Sequence, residues 1–138
     1  MNLPFWFESD DAGFQFSFSD ASLAVQARKL FMLYLQGQTQ PSSELFAAEL
    51  VLGELVGNVV KHAPGPLDVR VRWLADGARL EVSDRGPGFE LQPTLPADAF
   101  AESHRGLFLV AAYADELRVE RRRETTVTSV TLRVRRNA

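Results

Sequence analysis

The stretch Glu49-Leu50-Val51-Leu52-Gly53-Glu54-Leu55-Val56-Gly57-Asn58-Val59-Val60-Lys61-His62 constrains the fold of this chain more than any other. Leu52, Leu55, Val56 and Val59 recur at helical spacing and would face a core. Most of the remaining positions are also apolar or small, so the helix must be enclosed on more than one side. Glu54 and Asn58 interrupt this pattern four residues apart, which stacks them on one face, with Lys61 a turn further on. A carboxylate in an enclosed helix is costly unless something polar or cationic meets it. An ordinary amphipathic helix with two solvated polar residues would show the same spacing, so the meaning of the pair depends on the rest of the chain.

At 138 residues, with 46% hydrophobic and 24% charged side chains, the chain has the length and composition of one globular domain over residues 1–138, with enough apolar side chains for a real core. It has no cysteine, which excludes disulfides and cysteine-ligated zinc, and its two histidines argue against a histidine-rich metal site. No run approaches a membrane span and the first residues do not read as a signal peptide, so the expected location is the cytoplasm, without a membrane partner. A net charge of −3 does not suggest direct nucleic-acid binding. The charge is uneven: the first 60 residues carry seven acids and two bases, whereas the tail from Ala114 carries seven arginines and four acids. That tail reads first as a solvated strand face and second as a partner surface.

Along the chain, residues 1–13 alternate aromatic and acidic groups, as a ragged terminus or an added edge strand would. Phe14, Phe16 and Phe18 alternate with Gln15 and Ser17 as in a half-buried strand. Ser19 or Asp20 is placed to cap a helix with the apolar stripe Leu23, Ala27, Leu30, Phe31 and Tyr34, closed by Gly37. Pro41 suits the first turn of the central helix, and Ala63-Pro64-Gly65-Pro66 ends it near His62. Two alternating strands follow, carrying Leu67, Val69, Val71 and Trp73, then Ala78, Leu80 and Val82, joined by the hairpin signal Asp76-Gly77. Residues 90–103 lack periodicity and read as a loop or short lid. Arg105 opens a third helix reaching about Asp115, and strands at roughly 116–122 and 126–135 complete the chain, with Val130, Leu132 and Val134 on one face. The order β-α-α-β-β-loop-α-β-β predicts an α+β fold, with helices on one face of a mostly antiparallel sheet. Trp73 and Tyr113 read as packing residues.

Three short signals stand in this order: Glu54-x-x-x-Asn58 on a helix, Asp84-x-Gly86-x-Gly88 at a strand end, and Arg105-Gly106-Leu107 at a helix start. Each alone is common. Together they complement one another chemically. A carboxylate at a strand end can accept a hydrogen bond from the exocyclic amine of adenine, and Gly86 and Gly88 let backbone approach a nucleotide closely. Free amides at a helix start can meet phosphates. Asn58 offers an oxygen to Mg²⁺, which takes oxygen ligands and keeps waters, and Glu54 can act as a base on an attacking hydroxyl.

In order, spacing and context these motifs resemble the ATPase superfamily of gyrase, Hsp90, histidine kinases and MutL. Within it, the chain's length and short lid resemble the bacterial anti-sigma factor serine/threonine kinases, over about residues 14–135. The resemblance implies a two-layer α/β sandwich of the Bergerat type and ATP with Mg²⁺ as cofactors. It implies Asn58 as metal ligand, Glu54 as general base, Asp84 with Gly86 and Gly88 as the adenine box, and Gly106 and Leu107 as the second glycine box. Lys61 could touch a phosphate or simply be solvated at the helix end, and Arg105 could reach the γ-phosphate or face solvent. His62 reads as a helix terminator. The implied partners are a sigma factor, an anti-anti-sigma factor of the STAS class that is the phosphorylation substrate, and a second copy of the chain in a homodimer. One departure stands out: the second glycine box usually begins Gly-x-Gly, and His104 occupies the first of those positions, where lid closure or phosphate affinity would be affected. That substitution favours an alternative, a non-catalytic module in which ATP or ADP biases a partner-holding conformation. A detached histidine-kinase catalytic domain would need a phosphoacceptor histidine on a dimerising helix, and neither His62 nor His104 has that context.

Overall fold

A computed structural model describes residues 5–19, 23–40, 42–62, 65–85 and 102–137; side chains at 5–7, 24, 27, 43, 61–62 and 102–107 are outside this description. The elements are β1 (Phe5–Asp10), β2 (Gly13–Phe18), α1 (Ala24–Gln38), α2 (Ser43–His62), β3 (Leu67–Trp73), β4 (Ala78–Asp84), α3 (Glu102–Tyr113), β5 (Asp115–Arg122) and β6 (Thr125–Leu132). They form the expected α+β architecture. The six strands make one sheet in the order β1-β2-β3-β4-β6-β5, and every neighbouring pair is antiparallel.

The period-2 patterns decide which face is covered. Phe14 pairs across the sheet with Val71, then Leu80, then Val130, and Phe16 with Val69, Val82 and Thr128. All of these are buried, with Phe16, Val69, Leu80, Val82 and Val130 fully enclosed. The intervening residues Gln15, Arg70, Glu81 and Ser129 form the opposite face, where Arg70 donates to Gln15 Oε1 at 3.1 Å. The helices cover only the apolar face. α1 packs on β2, α2 on β4 and β6, and α3 beside β5, with α2 between the other two helices. Phe31 and Leu35 of α1 and Val51 and Leu52 of α2 complete the core.

Several boundaries differ from the sequence reading. Of the two readings of the aromatic N-terminal segment, the edge strand is the one observed, fully paired with β2. Gly37 does not close α1, because the helix continues to Gln38 and ends at the extended Thr39. The Thr39 hydroxyl donates to the Leu35 carbonyl at 2.8 Å, satisfying a helix-end acceptor that a glycine turn would otherwise meet. The residue at the N-cap position of α1 is Leu23, without a side-chain cap; Asp20 and Pro41 lie outside the described residues. The Asp76-Gly77 signal lies within a four-residue connection between Trp73 and Ala78, with Leu74 N–H donating to Gly77 O at 2.9 Å. Strand β6 ends at Leu132, yet Val134 stays buried beyond it. Trp73 packs as expected, half-buried, its indole N–H donating to the Tyr34 hydroxyl at 2.6 Å, while Tyr113 is exposed. None of the described helices is long and apolar enough to cross a membrane.

Candidate nucleotide site

The central helix carries three kinds of flank. Leu52, Leu55, Val56 and Val59 face the sheet and are buried. Glu49 and Gly53 face α1: Arg28 donates to Glu49 Oε1 at 3.4 Å, and its guanidinium carbon would lie 3.3 Å from a Cβ on Gly53. At 3.6 residues per turn, Glu54 and Asn58 lie roughly 140° round the helix from that contact. They therefore occupy the flank away from α1, the side on which α3 packs. Both are half-buried. Half-buried and off the sheet face, the Glu54 carboxylate costs less desolvation than it would over the sheet. Lys61 lies in the last turn of α2.

Asp84 is the last residue of β4 and follows the buried alternation of Ala78, Leu80 and Val82. It therefore points to the helix-covered face, where it is 7% exposed. Its cross-strand neighbour on β6 is Thr126, 1% exposed, and the residue opposite Thr126 on β5 is Arg121. Arg121 Nη1 donates to Thr126 Oγ1 at 2.9 Å. This row of polar side chains, Asp84, Thr126 and Arg121, lies at the end of the helix-covered sheet face. Sequence reading found Asp84 through its glycine context but missed Thr126 and Arg121. Thr126 sits in a run of threonines and Arg121 in a run of arginines, and only the strand register distinguishes them from their neighbours.

Helix α3 begins at Glu102 rather than Arg105. Arg105, Gly106 and Leu107 therefore lie within the helix instead of forming its entry. Side chains at these positions, and Gly86 and Gly88, lie outside the described residues. Three clefts lined by described residues, at the β1–β2–β3 end, beside the C-terminal tail, and over β3, β4 and β6, do not include Glu54, Asn58 or Asp84.

Residues 16–134 match the histidine kinase-like ATPase domain family. The chain belongs to that family. Domains of this ATPase family bind ATP, typically with Mg²⁺, and the family assignment carries ATP-dependent phosphotransfer as its general chemistry. Comparison with curated proteins gives no match. Among solved structures, the histidine kinase AdeS of Acinetobacter baumannii is similar, with a TM-score of 0.50 at 12% identity, covering 96% of this chain and 68% of that one. At that identity the likeness concerns the fold, which is the antiparallel sheet with helices on one face described above.

The donor set fits what such an ATPase holds. No group of three His, Cys, Asp or Glu side chains able to hold a metal occurs among the described residues. A single amide oxygen at Asn58 suits Mg²⁺, which commonly takes one or two protein oxygens and completes its shell with phosphate and water. Asp84 offers a carboxylate acceptor on the enclosed side of the sheet, where an aromatic base edge could be read away from bulk water.

Proposed function

We propose that the chain is an ATP-dependent protein serine/threonine kinase that also acts as an anti-sigma factor. It would hold a sigma factor and phosphorylate an anti-anti-sigma antagonist of the STAS class. Asp84 accepts from the adenine amine, and the Asn58 amide oxygen holds Mg²⁺, which supplies charge neutralisation at the phosphates when bound. Glu54 takes the proton of the attacking serine or threonine hydroxyl. The bond between that hydroxyl oxygen and the γ-phosphorus forms as the bond to the β-bridging oxygen breaks, and ADP leaves. Lys61 and Arg105 are the cations proposed for the phosphates, and Gly86 and Gly88 are proposed to complete the adenine box; the amides of Gly106 and Leu107 bond within α3 and are not assigned to the phosphates. The observation that carries this reading is the placement of Glu54 and Asn58 together on the α2 flank away from α1. A base and a metal ligand must share one side of the helix to serve one phosphate.

The test is Glu54→Gln, which keeps size and hydrogen-bonding capacity but removes basicity. Transfer of labelled γ-phosphate to a STAS antagonist should fall by about 10²–10⁴ while ATP affinity stays near wild type. Parallel loss of both would make Glu54 a structural or metal-shell residue. Unchanged transfer would favour the second reading, a partner-holding module biased by ATP or ADP, to which His104 in the second glycine box already points.

A further inference from the structure

We propose that the cleft between the C-terminal tail and the α1–α2 connection binds a phosphate monoester, at a site separate from the nucleotide site and independent of that reading. The cleft measures about 630 Å³, which holds a small organic molecule and is far more than a single ion needs. Buried Val134 and Thr39 lie among its lining residues. Arg133, Arg135 and Arg136 line the tail side, and Glu44 is the only acid among the lining residues. Three guanidiniums against one carboxylate leave two positive charges in excess, and a phosphate monoester carries about −1.5 to −2 at neutral pH. Glu44 already answers the first turn of α2, so the attraction comes from the tail. Two of the arginines are held before any ligand arrives. Arg133 directs Nε and Nη2 to Asp115, and Arg136 directs Nε to Gln38 Oε1 and Nη1 to the Asp11 carbonyl. The tail backbone is fixed as well, Asn137 N–H donating to the Gln38 carbonyl at 2.7 Å. A guanidinium has five N–H donors in a planar fork, so Arg133 keeps Nη1 and Arg136 keeps Nη2 for phosphate oxygens. Exposed Arg135 stands between them in the chain and adds a third fork. Side chains anchored in this way lose less freedom when a ligand binds. The site lies beyond Leu132, whereas Asp84 pairs with Thr126 at the other end of β6, about 20 Å away at strand rise.

The probes are glucose 6-phosphate and a short phosphoserine peptide. Glucose, the unphosphorylated peptide and sodium sulfate, all at matched ionic strength, are the controls. The chain carries Trp6→Phe, which leaves Trp73 as its one tryptophan, and Mg²⁺ and ADP are present throughout to occupy the nucleotide site. Arg136 lies 5.5 Å from the Trp73 ring centre, so a phosphate that engages this guanidinium should change Trp73 emission saturably. Arg135 takes no part in the contacts that anchor the tail, so its variants test binding without loosening the cleft. Arg135→Gln should weaken the better probe by about three- to tenfold, the range of one net hydrogen bond. Arg135→Glu should weaken it further, and Arg135→Lys should retain more affinity than Arg135→Gln. Tighter binding of glucose 6-phosphate supports the site as one for a free small molecule, and tighter binding of the peptide supports it as one for a phosphorylated chain. No response to either probe overturns the proposal. So does sulfate binding as tightly as the phosphate monoesters, or an affinity unchanged in Arg135→Glu. A chain that fails to bind ADP but keeps the Arg135-dependent response leaves this site standing and counts only against the nucleotide reading.

Discussion

At the scale of single residues, the informative feature is a polar side chain enclosed where its neighbours are apolar. Asp84 continues a strand whose inward residues are Ala78, Leu80 and Val82, and it is nearly as buried as they are. Such a group is kept only where hydrogen bonds or a ligand repay its desolvation. Asp84→Asn replaces one acceptor oxygen with a donor that opposes the adenine amine. It should cost roughly 2 kcal/mol or more of ATP affinity, the scale of a charged hydrogen bond turned into a mismatch. Titration calorimetry checks this, and wild-type affinity in the variant would remove Asp84 from the site.

At the scale of elements, two glycines make opposite contributions. Gly77 closes the connection into β4, and a Cβ built there would collide with the carbonyl oxygen of Leu132 on β6. The obstacle is backbone in a paired strand, so it cannot swing aside. Gly77→Ala should destabilise the chain by about 1–3 kcal/mol. Gly57 lies inside α2 with open space where a Cβ would be. Gly57→Ala should stabilise by about 0.5–1 kcal/mol through helix propensity. Urea midpoints of the two variants should move in opposite directions; a shift of the same sign would contradict the packing described at one of the two positions.

At the scale of the whole molecule, the C-terminal tail ties distant parts of the sheet and helix layers together. Arg136 Nη1 donates to the Asp11 carbonyl at 2.6 Å, its Nε to Gln38 Oε1 at 3.1 Å, and its guanidinium carbon lies 5.5 Å from the Trp73 ring centre. Nearby, Arg133 grips Asp115 with two hydrogen bonds, at 3.1 and 3.0 Å, linking the tail to the start of β5. Those hydrogen bonds hold the Asp115 carboxyl below its usual value of 3.8. A depressed carboxyl contributes stability that is present above the unfolded value and is lost as pH falls through the folded one. Arg133→Gln should therefore be slightly less stable than wild type at neutral pH and converge on it at pH values below both. The gap should be small and shrink with salt, because both side chains are about half exposed. Denaturation midpoints at neutral and acid pH, with and without salt, check the sign.

Much of this protein is determined by local sequence alone. Alternation in Phe14–Phe18, Leu67–Trp73 and Ala78–Val82 makes strands with one apolar face, and the helical run from Leu45 to Val59 requires a covered helix, because burial periodicity is a property of neighbours in the chain. The spacing of Glu54 and Asn58 likewise places them on one flank without any tertiary information. Tertiary structure decided what local pattern could not. The N-terminal aromatic stretch became an edge strand only because β2 offers a free side to pair with. Gly37 stayed helical because the Thr39 hydroxyl caps the Leu35 carbonyl. Thr126 and Arg121 joined Asp84 only through the register of β4, β6 and β5, a long-range pairing that no window of sequence contains. The choice of one arginine among seven in the tail, and one threonine among its neighbours, depends on which face of a strand meets the helices, and that is settled only when the sheet is assembled.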